Sequence, residues 1–236
     1  MVLLVWGQEL ETDSLQFGFK AGVSTTQCTW VVNEVTTYFM RRGTAVHACL
    51  LDCTKAFDKC RFDKLFSKLL ANGMPPIVVR VLVFIYEEQT GWVKLGGKRS
   101  TPFGLTNGTR QGSVLSPILF SVYLDDLLKE LRRLQLGCHI GGYWFGGLGY
   151  ADDLILLAPN REVLQKMLTV CEKYADEHNL VFSTDPVPAK SQIKCLLFCG
   201  RSGKVKYPDP VQLYGNSLPW VVSADHLEHK LHQLHG

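Results

Sequence analysis

Apolar and polar positions alternate along this chain in stretches that change period several times. From Ser24 to Arg42 the apolar residues Val31, Val35, Tyr38 and Phe39 recur at spacings of four, three and one, which predicts a helix stopped by Gly43. Thr44 to Asp52 reads almost without polar interruption (AVHACLLD), the pattern of a central strand covered on both faces. Arg61 to Asn72 predicts a short helix closed by Gly73. Pro75 and Pro76 suit the start of another, IVVRVLVFIYEEQ. Short strands are expected near Trp92–Leu95 and Lys98–Phe103. Ser116 followed by Pro117 resembles a cap and first helical turn, and Val122, Leu124, Leu127, Leu128 and Leu131 keep to one side of the helix behind it. A hairpin follows, with arms from about Gly142 to Tyr150 and from Leu154 to Ala158 and Ala151–Asp152–Asp153 between them. Asn160 can cap a helix whose faces are Val163, Met167, Val170, Tyr174 and Leu164, Leu168, Cys171, Ala175. Residues 183–192 form a polar loop, Ile193 to Phe198 a further strand, and the chain after Gly200 reads as loop, with Pro208, Pro210 and Pro219. Residues 1–23 show no clear period, and no internal repeat is visible. Helices segregated around hairpin-linked strands predict an α+β domain with a mostly antiparallel sheet.

Composition narrows the class without naming a chemistry. The 236 residues are 46% hydrophobic and 20% charged, which excludes an intrinsically disordered chain. A net charge of +3 neither demands nor forbids a nucleic-acid partner. Eight cysteines include no CxxC pair, and Cys49/Cys53 and Cys195/Cys199 lie in apolar stretches. They read as buried thiols of a reducing, intracellular compartment, nuclear or cytoplasmic, rather than as a disulfide framework or a zinc site. The N-terminal apolar run is short and lacks a basic flank, so no signal peptide is expected. The uncharged stretch Leu134 to Ala151 is broken by glycines and polar residues, which suits strands and turns rather than a membrane span. His226, His229, His232 and His235 recur every three residues, a spacing that on a helix would place neighbours on one side. A metal site there is the weaker of two readings.

The acids carry more. Asp52 ends a strongly apolar strand, and Asp152 and Asp153 stand at the tip of the hairpin. Adjacent strands would bring Asp52 and Asp152 together. Carboxylates clustered in a dry cleft repel and raise one another's pKa, a penalty that a hard divalent cation removes. Mg²⁺ takes few carboxylates, keeps waters and accepts phosphate oxygens. Two such ions about 3.5–4 Å apart activate an attacking hydroxyl and hold a leaving phosphate. Spacing alone leaves equally open that these are three ordinary loop acids at strand ends.

Five sequence blocks then resemble, in order, the reverse transcriptase domain of non-LTR retrotransposons of the LINE type. These are QFGFKAGVSTTQ (Gln16 to Gln27), LLDCTKAFDKC (Leu50 to Cys60), GTRQGSVLSPILFSVYLDDL (Gly108 to Leu127), YADD (Tyr150 to Asp153) and the lysine-bearing FSTDPVPAKSQIKCLLF (Phe182 to Phe198). The tail LPWVVSADHLEHKLHQLHG resembles the post-palm region of animal elements, except that Glu228 stands where the pattern has glycine between leucine and histidine, which puts the expected turn in question.

The resemblance implies a right-hand polymerase palm with flanking helices and partial fingers. Residues 1–44 and 61–110 would be partial fingers and the fingers–palm connection, 45–60 and 111–200 palm, and 201–236 the post-palm tail. Asp52 and Asp152 would be the principal ligands of Mg²⁺, or of Mn²⁺ in its place, with Asp153 a supporting acid and the Cys53 carbonyl a further metal contact. Phe57 would stack under the sugar and exclude a 2′-OH, the alternative being a core phenylalanine. Gly112 would admit close approach of a nucleotide or template, Gln111 would line the nucleotide pocket with Ser113, and Arg110 would contact phosphate or pair with a carboxylate. Lys190 would reach phosphate or protonate the leaving group, with Lys194 competing for the role. Asp58 would brace a turn, and Asp125 and Asp126 would be surface acids. Phe17 to Lys20 and Ser24 to Gln27 would touch the template. The implied partners are an RNA template with a DNA primer and deoxynucleoside triphosphates, with no membrane.

Upstream of Gln16 the charged residues are acidic, so the basic fingers block of the family is not found there. The thumb would lie beyond Gly236. The expectation is therefore a truncated domain, without endonuclease, that is weakly active or inactive alone. Group II intron maturases and telomerases share the palm, but KAFD and the tail favour the retrotransposon reading. A palm-fold cyclase would need neither RQG nor an aromatic at 57. A non-catalytic remnant that binds nucleic acid or protein is the serious alternative.

Overall fold

The computed structural model describes residues 10, 12–54, 56–109, 115–187, 190–200 and 206–233. A five-stranded sheet organises them. Its strands, in chain order, are β1 (Val46–Leu51), β2 (Gly147–Tyr150), β3 (Asp153–Ala158), β4 (Lys194–Phe198) and β5 (Trp220–Val221). In space they run β5-β4-β1-β3-β2, antiparallel except for the β4–β5 pair. The apolar run of β1 therefore does sit in the middle of the sheet, and alternate residues feed two cores. Cys49 and Leu51, with Leu154, Leu156, Ala158 and Cys195 from the flanking strands, face one cluster. Ala48 and Leu50, with Ile155, Leu157, Leu196 and Phe198, face the other.

Helices cover both faces. α1 (Thr25–Arg41) lays Cys28, Val32 and Val35 on the second cluster. It begins in a capping box, in which the Ser24 side chain accepts from the Gln27 N–H and the Gln27 side chain accepts from the Ser24 N–H. α2 (Ala56–Lys59), α3 (Phe62–Ala71) and α4 (Pro76–Glu87) follow β1, and α5 (Ser116–Arg133) and α6 (Arg161–His178) cover the first cluster. Asn160 caps α6 as expected, accepting the Val163 N–H at 2.8 Å. In α5, Leu115 holds the cap position and Ser116 is already helical and buried, so the expected Ser-Pro cap is displaced by one residue.

Two expectations need correction. Asp125 is 1% exposed, not a surface acid, and its Oδ1 accepts the Asp13 N–H at 2.6 Å while Lys129 pairs with Oδ2 at 2.6 Å. Asp126 is a surface acid, its side chain 43% exposed, and pairs with Lys68, a lysine itself almost fully buried. The chain after Gly200 is not simply loop. Gln212–Leu213 pairs with Asn216–Ser217, β5 joins the main sheet, and Ser223–His226 pairs with His229–His232. The segment's own apolar residues, Val211, Leu213, Leu218, Ala224 and Leu231, are what these pairings bury.

The histidines consequently lie on a hairpin rather than a helix. His226 and His229 flank its turn as cross-strand partners. His226 is buried, and desolvation, helped by His229, pulls its pKa down to about 4, which favours the neutral ring. His235 lies outside the described residues. Seven cysteines are buried and Cys199 is half-buried, as free thiols. Among the described residues no helix is long and apolar enough to cross a membrane.

Candidate active site

β1 and β3 pair in the register Leu51↔Leu154. Carried one residue further, that register sets Asp52 level with Asp153, the first residue of β3. The hairpin turn is therefore Ala151–Asp152, between the paired Tyr150 and Asp153. Sequence spacing suggested that adjacent strands would bring Asp52 and Asp152 together. The ladder aligns Asp52 with Asp153, and Asp152 stands beside them in the turn. Asp153 lies toward α1, since it helps burial to push the Cys28 thiol up to about 12.

β1 continues past Leu51 as a short ladder with residues 181–183. Thr54 N–H donates to Val181 O at 2.8 Å, Cys53 bridges Phe182, and Ser183 N–H donates to Asp52 O at 2.9 Å. Ser183 Oγ donates to Asp52 Oδ2 at 2.8 Å and lies 2.6 Å from Thr54 Oγ1. One hydroxyl carries one proton, and Ser183 gives its proton to the carboxylate, so Thr54 is the donor to Ser183. Ser183 was read only as part of a polar loop. The Cys53 thiol is buried, and desolvation with Asp152 and Asp52 nearby pushes its pKa far up.

All three carboxylates share one partly dried place. Burial raises the pKa of Asp152, and the charge of Asp52 adds to this. Burial, then Asp152 and Asp52, push Asp153 up to about 6. Two carboxylates whose charged forms are disfavoured by burial, and further by like charge nearby, suit a site for a cation. The donors are all hard oxygens, which fits Mg²⁺ or Mn²⁺ and not a soft metal. Among the described residues no group of three or more His, Cys, Asp or Glu side chains is arranged to hold a metal ion by itself. An ion at these acids would complete its shell with water or phosphate oxygens, as Mg²⁺ commonly does.

Phe57, on α2, is half-buried, its ring 4.8 Å from that of Phe120. Its carbonyl accepts the Thr109 N–H at 2.6 Å, and Gly108 N–H donates to Cys60 O at 2.8 Å. A side chain at Gly108 would meet Asp58 O at 2.9 Å, so glycine permits this docking. The chain entering the RQG block is thus pinned against the segment that carries Phe57. Arg110, Gln111, Gly112 and Ser113 themselves lie outside the described residues. Beside Thr109 opens a cleft of about 870 Å³, with Asp58, Glu88, Gln89, Trp92 and Asn107 among its lining residues. Lys190 is exposed, its N–H donating to Val187 O at 2.9 Å, whereas Lys194 is half-buried in β4 opposite Leu50.

The block expected to touch the template has internal partners. Lys20 Nζ donates to Asp13 O at 2.6 Å, and Gly18 is buried with no room for a Cβ, which would fall 2.3 Å from Ala151 N. Phe19, 49% exposed, is the residue of Phe17 to Lys20 that faces outward most.

The family model described as reverse transcriptase (RNA-dependent DNA polymerase) matches residues 8–211. The chain is 29% identical over 161 residues to a Pol polyprotein from the type-1 retrotransposable element R2 of Nasonia vitripennis, an alignment that covers 68% of this chain and 15% of that protein. It is 34% identical over 177 residues to the RNA-directed DNA polymerase from mobile element jockey of Drosophila melanogaster, covering 70% of this chain and 18% of that one. The chain thus spans less than a fifth of the length of these curated relatives. A telomerase from Candida tropicalis, solved with a fragment of telomeric RNA, superimposes with a TM-score of 0.62 at 12% identity over 89% of this chain and 35% of the telomerase, a likeness of fold. The chain belongs to the reverse transcriptase family, with non-LTR retrotransposon proteins as relatives, and its α+β fold is that of a polymerase palm.

Proposed function

We propose that this member of the reverse transcriptase family is an RNA-directed DNA polymerase domain whose reaction centre is Asp52, Asp152 and Asp153. The supporting observation is that Asp52, at the end of β1, stands level with Asp153 beside the turn residue Asp152, where burial first and then the charge of Asp52 raise the pKa of Asp152 and Asp153. In the reaction a primer 3′-hydroxyl attacks the α-phosphate of a deoxynucleoside triphosphate and pyrophosphate leaves. Asp52 and Asp152 would hold Mg²⁺ or Mn²⁺, with Asp153 and the Cys53 carbonyl in support. When bound, such ions lower the pKa of the attacking hydroxyl and offset charge on the phosphates.

The chain's own groups prepare that centre. Ser183 occupies one lone-pair direction of Asp52 Oδ2 and so fixes which way the carboxylate opens. Phe57, backed by Phe120, would stack under the sugar and leave no room for a 2′-OH. Arg110, Gln111 and Gly112 would complete the nucleotide pocket, and Lys190 would give a proton to the leaving pyrophosphate. Residues 45–60 and 111–200 would serve as palm, 1–44 and 61–110 as partial fingers and the fingers–palm connection, and 201–236 as the post-palm tail. The template would be RNA paired with a DNA primer.

Primer extension on poly(A)/oligo(dT), with calorimetry of Mg²⁺ and deoxynucleotide binding, tests the reading. The bare chain should bind both and extend slowly, and Asp52→Asn should lose extension. Binding without any extension is the signature of a non-catalytic remnant. Extension that survives Asp52→Asn would remove this centre from the chemistry.

A further inference from the structure

We infer that Gln16 is a positioning residue, a side chain that holds the turn carrying the catalytic acids. The inference rests on the polymerase reading for what the turn is for, but its geometry stands apart from it. β2 is the edge strand of the sheet, and an open edge beside a reaction centre has nothing to hold its register. Residues 15–17 close it. Phe17 N–H donates to Gly149 O at 2.7 Å, Gly149 N–H donates to Leu15 O at 2.9 Å, and Gln16 pairs with Gly149 in the parallel sense.

The Gln16 side chain, 0% exposed, then reaches past the strand to the turn. Its Oε1 accepts the Ala151 N–H at 3.2 Å and the Gly18 N–H at 3.1 Å. Both neighbours are donors, so the amide must present its oxygen to them. Ala151 is the residue before Asp152, and it holds φ at 59°, a left-handed conformation that alanine avoids. A buried N–H at a strained residue would otherwise be left without a partner.

Two glycines make the fit. A Cβ on Gly149 would come within 2.8 Å of Gln16 Nε2, and one on Gly18 within 2.3 Å of Ala151 N. Behind the clamp, Asp13 anchors the segment. Arg132 Nη2 donates to its Oδ1 at 2.5 Å, Leu15 N–H donates to the same oxygen at 2.8 Å, and the buried Asp125 takes its N–H. A block expected to touch the template is thus built to fix Ala151, and through it the direction in which Asp152 and Asp153 leave the backbone.

Amide hydrogen exchange and carboxyl ¹³C shifts, read by NMR on the whole chain, test this. In the wild type the Ala151 and Gly18 amides should be protected, and exchange of Ala151 at the rate of an unstructured peptide would overturn the inference without any variant. Gln16→Met keeps the volume and removes the acceptor. Faster exchange confined to Ala151 and Gly18, with displaced carboxyl signals of Asp152 and Asp153, is the expected result. Unchanged signals, or faster exchange spread evenly over β1 to β4, would mean that Gln16 only fills space. Terbium(III) luminescence reads the site separately. The variant should bind Tb³⁺ about tenfold more weakly, the scale of losing an outer support of a metal site. A wild type that binds no Tb³⁺ would count against the polymerase reading, and the exchange data would still decide the role of Gln16.

Discussion

Ser183 holds Asp52 twice, through its hydroxyl to Oδ2 at 2.8 Å and through its main-chain N–H to the Asp52 carbonyl at 2.9 Å. The two residues are 131 positions apart in the chain. Ser183→Ala removes the first bond and leaves the second. Hydrogen bonds to charged groups contribute about 1.5–3 kcal/mol, and partial exposure puts this one at the low end. Urea denaturation should show a loss of about 1–2 kcal/mol, and Ser183→Thr should recover most of it. Thr54→Val, which removes the donor to Ser183 but spares the carboxylate contact, should cost less. Equal losses in the two variants would mean that the carboxylate bond carries no special weight.

Asp153 ties stability to pH. Its folded pKa, about 6, lies above the ordinary carboxylate value of 3.8 because of burial, Asp152 and Asp52. The folded state therefore holds this proton more tightly than the unfolded chain. Stability from this group is full below about pH 4, is lost as pH rises toward 6, and stays lost above it. Asp153→Asn should flatten that fall and raise the melting temperature at pH 7–8. Mg²⁺ should raise the wild-type melting temperature most at the same alkaline end, because an ion that binds only the folded state stabilises it. A melting curve with the same pH dependence in wild type and variant would contradict the shared-charge account of the site.

Phe57 can be separated from simple packing by what its loss does to substrate choice. Phe57→Val should cost about 1 kcal/mol through the lost ring contact with Phe120. If the ring also excludes a 2′-OH, the preference for deoxy- over ribonucleotides, measured as a ratio of kcat/KM values, should fall on the order of tenfold or more. A stability loss with the ratio unchanged would assign Phe57 to the core alone.

Among the described residues four two-residue turns have positive φ at both central residues: Gly96–Gly97, Gly141–Gly142, Tyr214–Gly215 and Leu227–Glu228. Three have glycine second, as such hairpins prefer, and the fourth has Glu228 at φ 65°. Glu228→Gly should relieve a left-handed penalty of roughly 1 kcal/mol and raise the melting temperature by a few degrees. No gain would mean that the Glu228 side chain offsets its own strain. The departure from the family pattern noticed at this position thus leaves the turn in place and moves its cost into the backbone.

Periodicity made the framework legible. The unbroken apolar run of β1 announced a strand with two covered faces, and the twin faces of α6 together with Asn160 announced a capped helix against the sheet. Three acids at strand ends were visible as candidates for the same reason. The tail was harder to read. Its hairpins are two to four residues long, and the turn at Leu227–Glu228 lacks the glycine that would advertise it. Histidines three apart suit a helix or a strand pair alike, and the burial of Ala224 and Leu231 decided for the pair.

By itself the sequence determined most of the strands and helices before Gly200, and it placed carboxylates where β1 and the hairpin end, because local periodicity and turn chemistry act over a few residues. It could not say that Asp153 rather than Asp152 lies level with Asp52, that Ser183 steers one acid, or that Gln16 secures the turn beneath the other two. A one-residue difference in register moves a side chain to the other face of a sheet. Register is set by packing among strands far apart in the chain. Each of those relationships came into being only when the sheet closed in the order β5-β4-β1-β3-β2.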